Sequence, residues 1–406
     1  MRERGAPRIH QNRAVSEIGY LTASVPLRLA NAAATVVLPL LAVQQTGDIV
    51  AGGALGGALV AASLAPSVVA APLVGALLDR TPHPRRWMMT AAVVQALSLL
   101  SAAGLGVVPL PIIVVLLVAG GVASPFYLGG MSSFVTDAIA DERRAYADDG
   151  VSYNIASVGG PALAALVVAL ADARIASIVT AVVAALGAVG MLALHFAPRP
   201  RHDDLHLGRD ILRAVRALTR HRPLAAVTAS GTLSQLGQGA LPIAAIALAH
   251  ERAASADQGA WIVTAFAIGA LAGGVAYALI PVRLRPEVVM GGGFAVVGLL
   301  TLGAVADLGM PFTLIVIGLS GIVVAPSAAA MLLLRKQQSR ARVRSQVFTI
   351  GSGLRTAAAA LGAAIVGQLG GAPAGLLIAL IGVVWMASAA IMLAYPRGAQ
   401  PVDATA

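Results

Sequence analysis

Long apolar runs follow one another along most of the 406-residue chain, separated by short charged or Gly/Pro-rich breaks. A helix needs about 20 apolar residues to cross the hydrocarbon core of a bilayer, so each run predicts one membrane-spanning helix. The runs lie roughly at 20–43, 51–78, 87–107, 110–135, 151–171, 174–196, 224–249, 259–280, 288–306, 310–334, 347–369 and 372–395. The pattern therefore predicts an all-α membrane protein with twelve transmembrane helices.

Composition supports this fold class and excludes others. Hydrophobic residues make up 58% of the chain and charged residues 11%, and the mean hydropathy is +0.84, which is atypical of soluble domains. The net charge of +10 comes from arginines scattered between apolar runs, not gathered with aromatic residues on one surface. We therefore expect a lipid bilayer as partner and no nucleic acid.

The sequence offers little that catalysis could use. It contains no cysteine, and its seven histidines lie in cytoplasmic segments or at span ends. No set of nucleophile, base or metal ligands falls within the apolar runs, and no glycine-rich phosphate loop precedes a lysine. We therefore expect no cofactor, no metal and no enzymatic activity.

The positive charges predict the orientation of the chain. Nearly all of the 28 lysine and arginine residues fall in loops on one side, including Arg335 directly after the tenth run. Only Arg174 and Arg252 lie in the opposite loops, while Arg28 and Arg355 fall inside spans. Since cytoplasmic loops carry the excess of basic residues, we expect a multi-pass protein of the inner (cytoplasmic) membrane with both termini cytoplasmic.

The chain also divides into two similar halves. The longest hydrophilic break separates six spans from six, and "AGGVASPFYLGGM" in the fourth span is echoed by "LSGIVVAPSAAAM" in the tenth. Such echoes are expected where a repeated six-helix unit builds two pseudo-symmetric bundles. The predicted parts are a cytoplasmic N-terminal tail, a six-helix bundle, a cytoplasmic central loop, a second bundle and a cytoplasmic C-terminal tail, at residues 1–19, 20–196, 197–223, 224–395 and 396–406.

The loop between the second and third spans carries a family pattern in "GALLDRTPHPRR". Its residues resemble the G-x-L-x-D-R-x-G-R-R loop of the major facilitator superfamily (MFS), whose 6+6 layout the whole chain shares. The resemblance implies a secondary transporter working by alternating access, with this loop acting as a latch on the outward-open form. Asp137, at the end of the fourth span, is the expected partner of the loop, while the other interpretation is an ordinary basic cytoplasmic loop. The latch residues are Gly75, Asp79, Arg80, Arg85, Arg86 and Asp137.

A second resemblance lies in the fifth span, where "ASVGGPALAA" is similar to a G-x-x-x-G-P-x-x-G-G motif of MFS exporters. Gly160 and Pro161 match, and alanines replace the three other glycines. This resemblance implies export, so we expect efflux of small amphipathic molecules, by a monomer. The family implies protons as coupling ion, although no carboxylate falls at mid-membrane to carry them. The alternative is generic packing of small residues between helices.

The family also implies which spans line the substrate pathway, namely 1, 4, 7 and 10, flanked by 2, 5, 8 and 11. Strong polar groups follow that division, since such groups are costly in lipid. Arg28 and Arg355 lie about eight residues past the cytoplasmic entries of their helices, roughly 12 Å deep at 1.5 Å per residue, unless they extend back to the headgroups. The candidate cavity residues are Arg28, Asn31, Tyr127, Asn154, Gln235, Gln238 and Arg355.

The acidic residues leave the substrate and the coupling open. All eighteen fall in loops, tails or the ends of spans, so we expect no carboxylate partner for Arg28 or Arg355 at mid-membrane. An unpaired arginine would attract anionic groups or contact carbonyls and aromatic faces such as Tyr127 and Tyr153. Two alternatives to efflux therefore stand: a transporter of an anionic metabolite, and a membrane sensor or assembly protein that transports nothing.

Overall fold

The computed structural model describes residues 6–135, 139, 142–194, 216, 218–253, 255–280, 284–339, 344–396 and 398–399. Within this part of the chain, α-helices are the main regular elements, accompanied by two short 3-10 turns and one isolated bridge between Leu105 and Val108. This confirms the predicted all-α fold class.

Fourteen α-helices lie within the described residues. They are α1 (Ala6–Thr46), α2 (Ile49–Leu64), α3 (Pro66–Arg80), α4 (Pro84–Ala103), α5 (Leu110–Tyr127), α6 (Gly129–Ser133), α7 (Glu142–Leu170), α8 (Ala173–Gly190), α9 (Arg222–Ala253), α10 (Gly259–Leu279), α11 (Pro286–Gly303), α12 (Met310–Gln337), α13 (Arg344–Gln368) and α14 (Ala374–Met392).

Two of the predicted spans consist of two helices each. The second span bends where α2 ends and α3 begins at Pro66, because a proline cannot donate the backbone hydrogen bond that would continue α2. The fourth span bends at Leu128, three residues after Pro125, where α5 gives way to α6. With these joined, fourteen helices correspond to the twelve predicted spans.

Eleven of the spans within the described residues are long and apolar enough to cross a membrane by themselves. The remaining one is α4, whose first turn contains Arg85 and Arg86 and whose centre contains Gln95. These polar side chains lower its mean hydropathy, although its 20 residues are sufficient to span the hydrocarbon core.

By contacts, the chain separates into two compact units. Unit 1 contains residues 1–37 and 69–204, and unit 2 contains residues 38–68 and 205–406. In unit 1, α4 packs between α5 and α8. Exposed leucines such as Leu97 on α4 and Leu186 on α8 give this layer an apolar outer surface. The bundle boundaries predicted from the sequence remain a prediction, since contacts group the chain in a different way.

In unit 2, α9 packs against α13 and α14, α10 against α12, and α11 against α12 and α14. Helix α2 belongs to this unit because it packs along α13 through small residues. A Cβ atom added to Gly57 would lie 2.6 Å from the carbonyl oxygen of Ala363, and one added to Gly367 would lie 2.6 Å from that of Gly53. The two backbones therefore touch with no side chain between them.

Candidate functional site

The predicted cavity residues are distributed over both units. Unit 1 contains Arg28 and Asn31 on α1, Tyr127 on α5 and Asn154 on α7, and unit 2 contains Gln235 and Gln238 on α9 and Arg355 on α13. The side chain of Asn154 lies outside the described residues. Each unit contains one centre built around arginine.

The centre of unit 1 is a buried ion pair. Arg28 is 2% exposed, and its Nη2 atom lies 2.6 Å from Oδ1 of Asp149 on α7. The expectation that Arg28 has no carboxylate partner is therefore wrong. The reason is that α7 begins at Glu142, well before the apolar run, so that Asp149 lies on the helix and faces α1 instead of ending a loop.

Hydroxyl groups complete the ion pair. Arg28 donates hydrogen bonds to Oγ of Ser132 at 2.9 Å and to Oγ of Ser152, while Ser132 also donates to Asp149 at 3.1 Å. The hydroxyl of Tyr20 donates to the same carboxylate oxygen at 2.5 Å. We call Arg28, Asp149, Tyr20, Ser132, Ser152 and Tyr153 the Arg28 network.

Tyr153 and a broken helix contribute the remaining contacts. The guanidinium carbon of Arg28 lies 3.6 Å from the centroid of the Tyr153 ring, as expected for an arginine that contacts an aromatic face. The bend at Leu128 leaves its carbonyl oxygen available to side chains, and the Tyr153 hydroxyl donates to it at 3.2 Å. Arg28 also donates to this oxygen, at 3.4 Å. The positive charge of Arg28 is thus neutralised by Asp149 within unit 1, although the Nε atom of Arg28 is buried without a hydrogen-bond partner among the described residues.

The other described candidates in unit 1 are not part of this network. Tyr127 is completely buried, and its hydroxyl has no hydrogen-bond partner among the described residues. Asn31 lies three residues beyond Arg28 on α1 and is partly exposed. Their assignment to a substrate cavity remains a prediction.

The centre of unit 2 is built around an arginine that sequence reasoning placed elsewhere. Arg335 was expected in a cytoplasmic loop, but α12 continues to Gln337 and the Arg335 side chain is 1% exposed. The unbroken apolar stretch "MLLL" at 331–334 leads directly into Arg335 and was the only sequence signal that the helix extends through it.

Glycines bring two helices close to Arg335. A Cβ atom added to Gly351 of α13 would lie 2.8 Å from Nη1 of Arg335, and one added to Gly231 of α9 would lie 3.6 Å from Nη2. The Nε and Nη2 atoms of Arg335 are buried and have no hydrogen-bond partner within the described part of the chain. The guanidinium of Arg335 therefore lies between three helices, with donors that no described residue uses.

Arg355 lies one turn after Gly351 on α13 and adds a second positive charge to this region. It is partly buried, and its Nε atom is buried and unpaired among the residues that the structure describes. The charges of Arg335 and Arg355 repel each other. Within those same residues, no carboxylate forms an ion pair with either arginine.

Helix α9 contributes uncharged polar groups. The buried hydroxyl of Thr228, three residues before Gly231 and so on the same side of α9, has no hydrogen-bond partner in the described chain. The hydroxyl of Thr232 is likewise buried and unpaired there. Further along the helix, Nε2 of Gln235 donates to Oε1 of Gln238 at 2.6 Å, so these two candidates pair with each other. We call Arg335, Arg355, Thr228 and Thr232 the Arg335 site.

Comparison with known proteins identifies the family. A family model described as Major Facilitator Superfamily matches residues 21–236, which is more than half of the chain. The chain belongs to the Major Facilitator Superfamily. An uncharacterized MFS-type transporter of Sinorhizobium fredii (strain NGR234) is 27% identical to it over 358 residues, which cover 86% of this chain and 88% of that protein. The protein is thus a multi-pass secondary transporter with a small-molecule substrate.

Solved structures confirm the twelve-helix MFS fold in two six-helix bundles. The nucleoside transporter NupG matches with a TM-score of 0.74 at 14% identity, covering 94% of this chain and 100% of that chain. PepTSo, a transporter of the POT family, matches with a TM-score of 0.69 at 11% identity, covering 94% of this chain and 97% of that chain. At these identities the likeness concerns the fold alone.

The MFS latch loop is described only in part. Gly75 has open space around its Cα, Arg85 is partly buried and Arg86 is exposed. Asp137 lies outside the described residues, and so do the side chains of Asp79 and Arg80. The latch assignment therefore remains a prediction.

The exporter-like motif brings α7 close to α1. Gly160 and Pro161 are buried, and a Cβ atom on Gly160 would lie 2.7 Å from Cβ of Ala32 and 2.9 Å from the carbonyl oxygen of Leu29. Only glycine permits this approach, which lies about two turns along α7 from Ser152 in the Arg28 network. Within the described residues, no group of three His, Asp or Glu side chains could hold a metal ion.

Proposed function

We propose that this MFS protein exports small amphipathic molecules across the inner membrane by alternating access, driven by protons. The observation that supports the proposal is the contact between Gly160 and α1. In the exporter motif that this segment resembles, a glycine is needed where two helices meet, and Gly160 lies at such a place because it closely approaches Leu29 and Ala32. The predicted pathway residues, the monomeric state and the cytoplasmic position of both termini are parts of the same proposal.

Flux into proteoliposomes tests the proposal. The purified protein is reconstituted, and uptake of lipophilic cations and amphipathic weak acids is measured with and without an imposed pH gradient, against protein-free vesicles. We expect gradient-dependent flux of amphipathic compounds. Binding in detergent without flux of any compound would instead favour the sensor or assembly protein, and flux that ignores the gradient would remove the proton coupling.

The latch assignment makes its own prediction. Asp79→Asn should slow this flux while expression and thermal unfolding stay near wild type, because the substitution removes a charge without changing the shape of the side chain. Asp307→Asn is the matched control, since Asp307 lies in the loop before α12 and is 75% exposed. Equal flux in Asp79→Asn and wild type would remove the latch from the proposal.

One observation favours a second candidate, the transport of an anionic metabolite. Unit 2 contains two arginines without a carboxylate partner among the described residues, and one of them, Arg335, is almost completely buried. A buried positive charge is destabilising unless something neutralises it. A substrate with a negatively charged group would do so.

A further inference from the structure

We propose that Arg335 and Arg355 form a subsite in unit 2 that binds an oxyanion carried by the substrate, with a preference for doubly charged carboxylates or phosphates. The proposal rests on the proposed function as a secondary transporter and names the substrate class. It also moves the substrate-binding role away from Arg28, which the sequence favoured, to Arg335, which the sequence placed in a loop.

The Arg335 side chain is buried, and several of its donors are unused within the described part of the chain. Its Nε and Nη2 atoms are buried without hydrogen-bond partners among the described residues, although a guanidinium offers five N–H donors. Leaving buried donors and a buried charge unpaired is unfavourable in a folded protein, and most native structures avoid it. A ligand that supplies acceptor oxygens removes both penalties together.

Glycines lie near the guanidinium of Arg335 on two neighbouring helices. Gly351 and Gly231 contribute no side chain of their own, and the Met331 side chain packs against Gly231. The planar fork of arginine matches the two oxygens of a carboxylate or phosphate, giving two parallel charge-assisted hydrogen bonds. Thr228 and Thr232 lie close to Gly231 along α9, and their hydroxyl groups, which are unpaired among the described residues, can donate to further oxygens of such a group.

Two positive charges, those of Arg335 and Arg355, lie close to each other in this site. Arg335 and Arg355 repel each other, and the described residues provide no carboxylate to either. A monoanion would neutralise one of the two charges, whereas a dianion would neutralise both. This predicts that succinate and inorganic phosphate bind more tightly than acetate. A lipophilic cation would be repelled.

The Arg28 network provides the contrast that makes this assignment specific. Arg28 already has the Asp149 carboxylate, two serine hydroxyls and the face of Tyr153. An external anion would have to displace Asp149, which is itself held by Tyr20. The oxyanion subsite is therefore assigned to unit 2.

The test measures binding directly. Full-length protein in detergent is titrated with succinate, inorganic phosphate, acetate and tetraphenylphosphonium, with affinity from calorimetry and Tm from thermal unfolding. We expect succinate or phosphate to raise Tm in wild type, and Arg335→Gln and Arg355→Gln to bind at least ten-fold more weakly. Arg220→Gln is the matched control, because Arg220 is an exposed arginine of unit 2 and its loss should leave binding unchanged. Equal affinity in Arg335→Gln and wild type would overturn the proposal.

A second measurement separates binding from a structural role. Without added anion, Arg335→Gln should unfold at the same temperature as wild type or above it, because it removes a charge that has no carboxylate partner among the described residues and that repels Arg355. Arg335→Lys keeps the charge but loses the fork, so its affinity should fall between those of wild type and Arg335→Gln. A clear fall in the anion-free Tm of Arg335→Gln would mean that Arg335 stabilises the fold, and would overturn the proposal.

Two further measurements, flux in proteoliposomes and thermal stability in nanodiscs with anionic phospholipid, separate the oxyanion subsite from the transport function on which it rests. Arginine-dependent flux of dicarboxylates or organic phosphates would support both. Flux of amphipathic compounds that is unchanged in Arg335→Gln would overturn the subsite and leave the transporter standing, whereas anion binding without flux of any compound would leave the subsite and remove the transport function. Stabilisation obtained only with anionic phospholipid in nanodiscs would overturn the assignment to a transported substrate.

Discussion

The Arg28 network and the Arg335 site occupy corresponding helices of the two units and reach opposite electrostatic states. In unit 1, Arg28 on the first span lies between the fourth and fifth spans, and Asp149 on the fifth neutralises it. In unit 2, Arg335 on the tenth span lies against the seventh and eleventh spans, where Gly231 and Gly351 face it. One arginine is paired with a carboxylate, and the other has unused donors within the described part of the chain.

The comparison shows that the depth of an arginine along a membrane helix does not by itself predict what it binds. Arg28 and Arg335 are both almost fully buried. What separates them is the residue that the neighbouring helix places alongside the arginine. Helix α7 begins at Glu142 and presents Asp149, whereas the corresponding helix α13 begins at Arg344 and presents Gly351 and, one turn later, a second arginine.

The largest effect is expected from breaking the pair in unit 1. Asp149→Asn should lower the free energy of unfolding by about 3–5 kcal/mol, because it leaves a buried positive charge without its counter-ion. Thermal or denaturant unfolding in detergent measures this. Asp307→Asn is the control, since Asp307 is 75% exposed and its partner Arg252 keeps hydrogen bonds to Thr313 and to the carbonyl oxygens of Val305 and Ala306. Loss of the Asp307 carboxylate should cost at most about 1 kcal/mol.

A loss in Asp149→Asn no larger than that in Asp307→Asn would remove the contrast between the two centres. It would mean that the hydroxyl and carbonyl groups around Arg28 hold its charge without the help of Asp149. The ion pair between Arg28 and Asp149 would then not distinguish the stability of the two centres.

A smaller effect is expected from separating the helices that carry the network. Gly160→Ala should destabilise unit 1 by about 1–3 kcal/mol, because its Cβ would meet the backbone of α1 and push α7 away. Gly292→Ala on α11 is the control: nothing lies within 4 Å of its added Cβ, and alanine favours a helix by about 0.5–1 kcal/mol. Both are compared by thermal unfolding, and equal stability of the two variants would contradict the close contact.

Giving unit 2 a carboxylate should make its centre resemble that of unit 1. Gly351→Asp places an acidic side chain beside Nη1 of Arg335, whose flexible end can move aside for it. We expect at least a ten-fold loss of phosphate or succinate affinity, about 1.4 kcal/mol, because an internal anion then occupies the arginine. Gly351→Ala adds the same Cβ without the charge and should retain most of the binding in calorimetry. Equal losses in both variants would point to shape instead of charge.

The smallest effect concerns single hydroxyl groups. Thr228→Val should leave the anion-free stability unchanged or raise it by at most about 1 kcal/mol, because the Thr228 hydroxyl is buried without a partner in the described chain. Ser152→Ala in unit 1 should instead cost about 1–3 kcal/mol, since Ser152 accepts a hydrogen bond from Arg28. Thermal unfolding of both variants tests this, and a reversed order would contradict the description of which centre is satisfied.

The fold could be predicted from the sequence because each apolar run is long and local. Every span appears as a helix at about the expected place, and even the bend at Pro66 follows from the chemistry of proline. Helix ends were less predictable: charged residues suggested that the fifth span began near 151 and that the tenth ended at 334. The structure extends both helices, to Glu142 and to Gln337.

Those extensions explain what the sequence missed in the candidate site. Arg28 was recognised because it interrupts an apolar run, but its partner Asp149 is 121 residues away and looked like a loop residue. Arg335 was also taken for a loop residue, because it follows directly after the apolar run, although α12 continues past it. Contacts between distant parts of the chain depend on how helices face one another, and hydrophobic periodicity in one sequence does not contain that information.

The contact between α2 and α13 has a mechanical consequence. Gly53 and Gly57 meet Gly367 and Ala363 through bare backbone, so no side-chain rotamer has to be fixed for these helices to be in contact. Forming such a contact therefore costs little side-chain conformational entropy. The same lack of side chains makes the contact intolerant of substitution. A methyl group added to Gly57 or Gly367 would meet backbone atoms of the other helix and push the two helices apart.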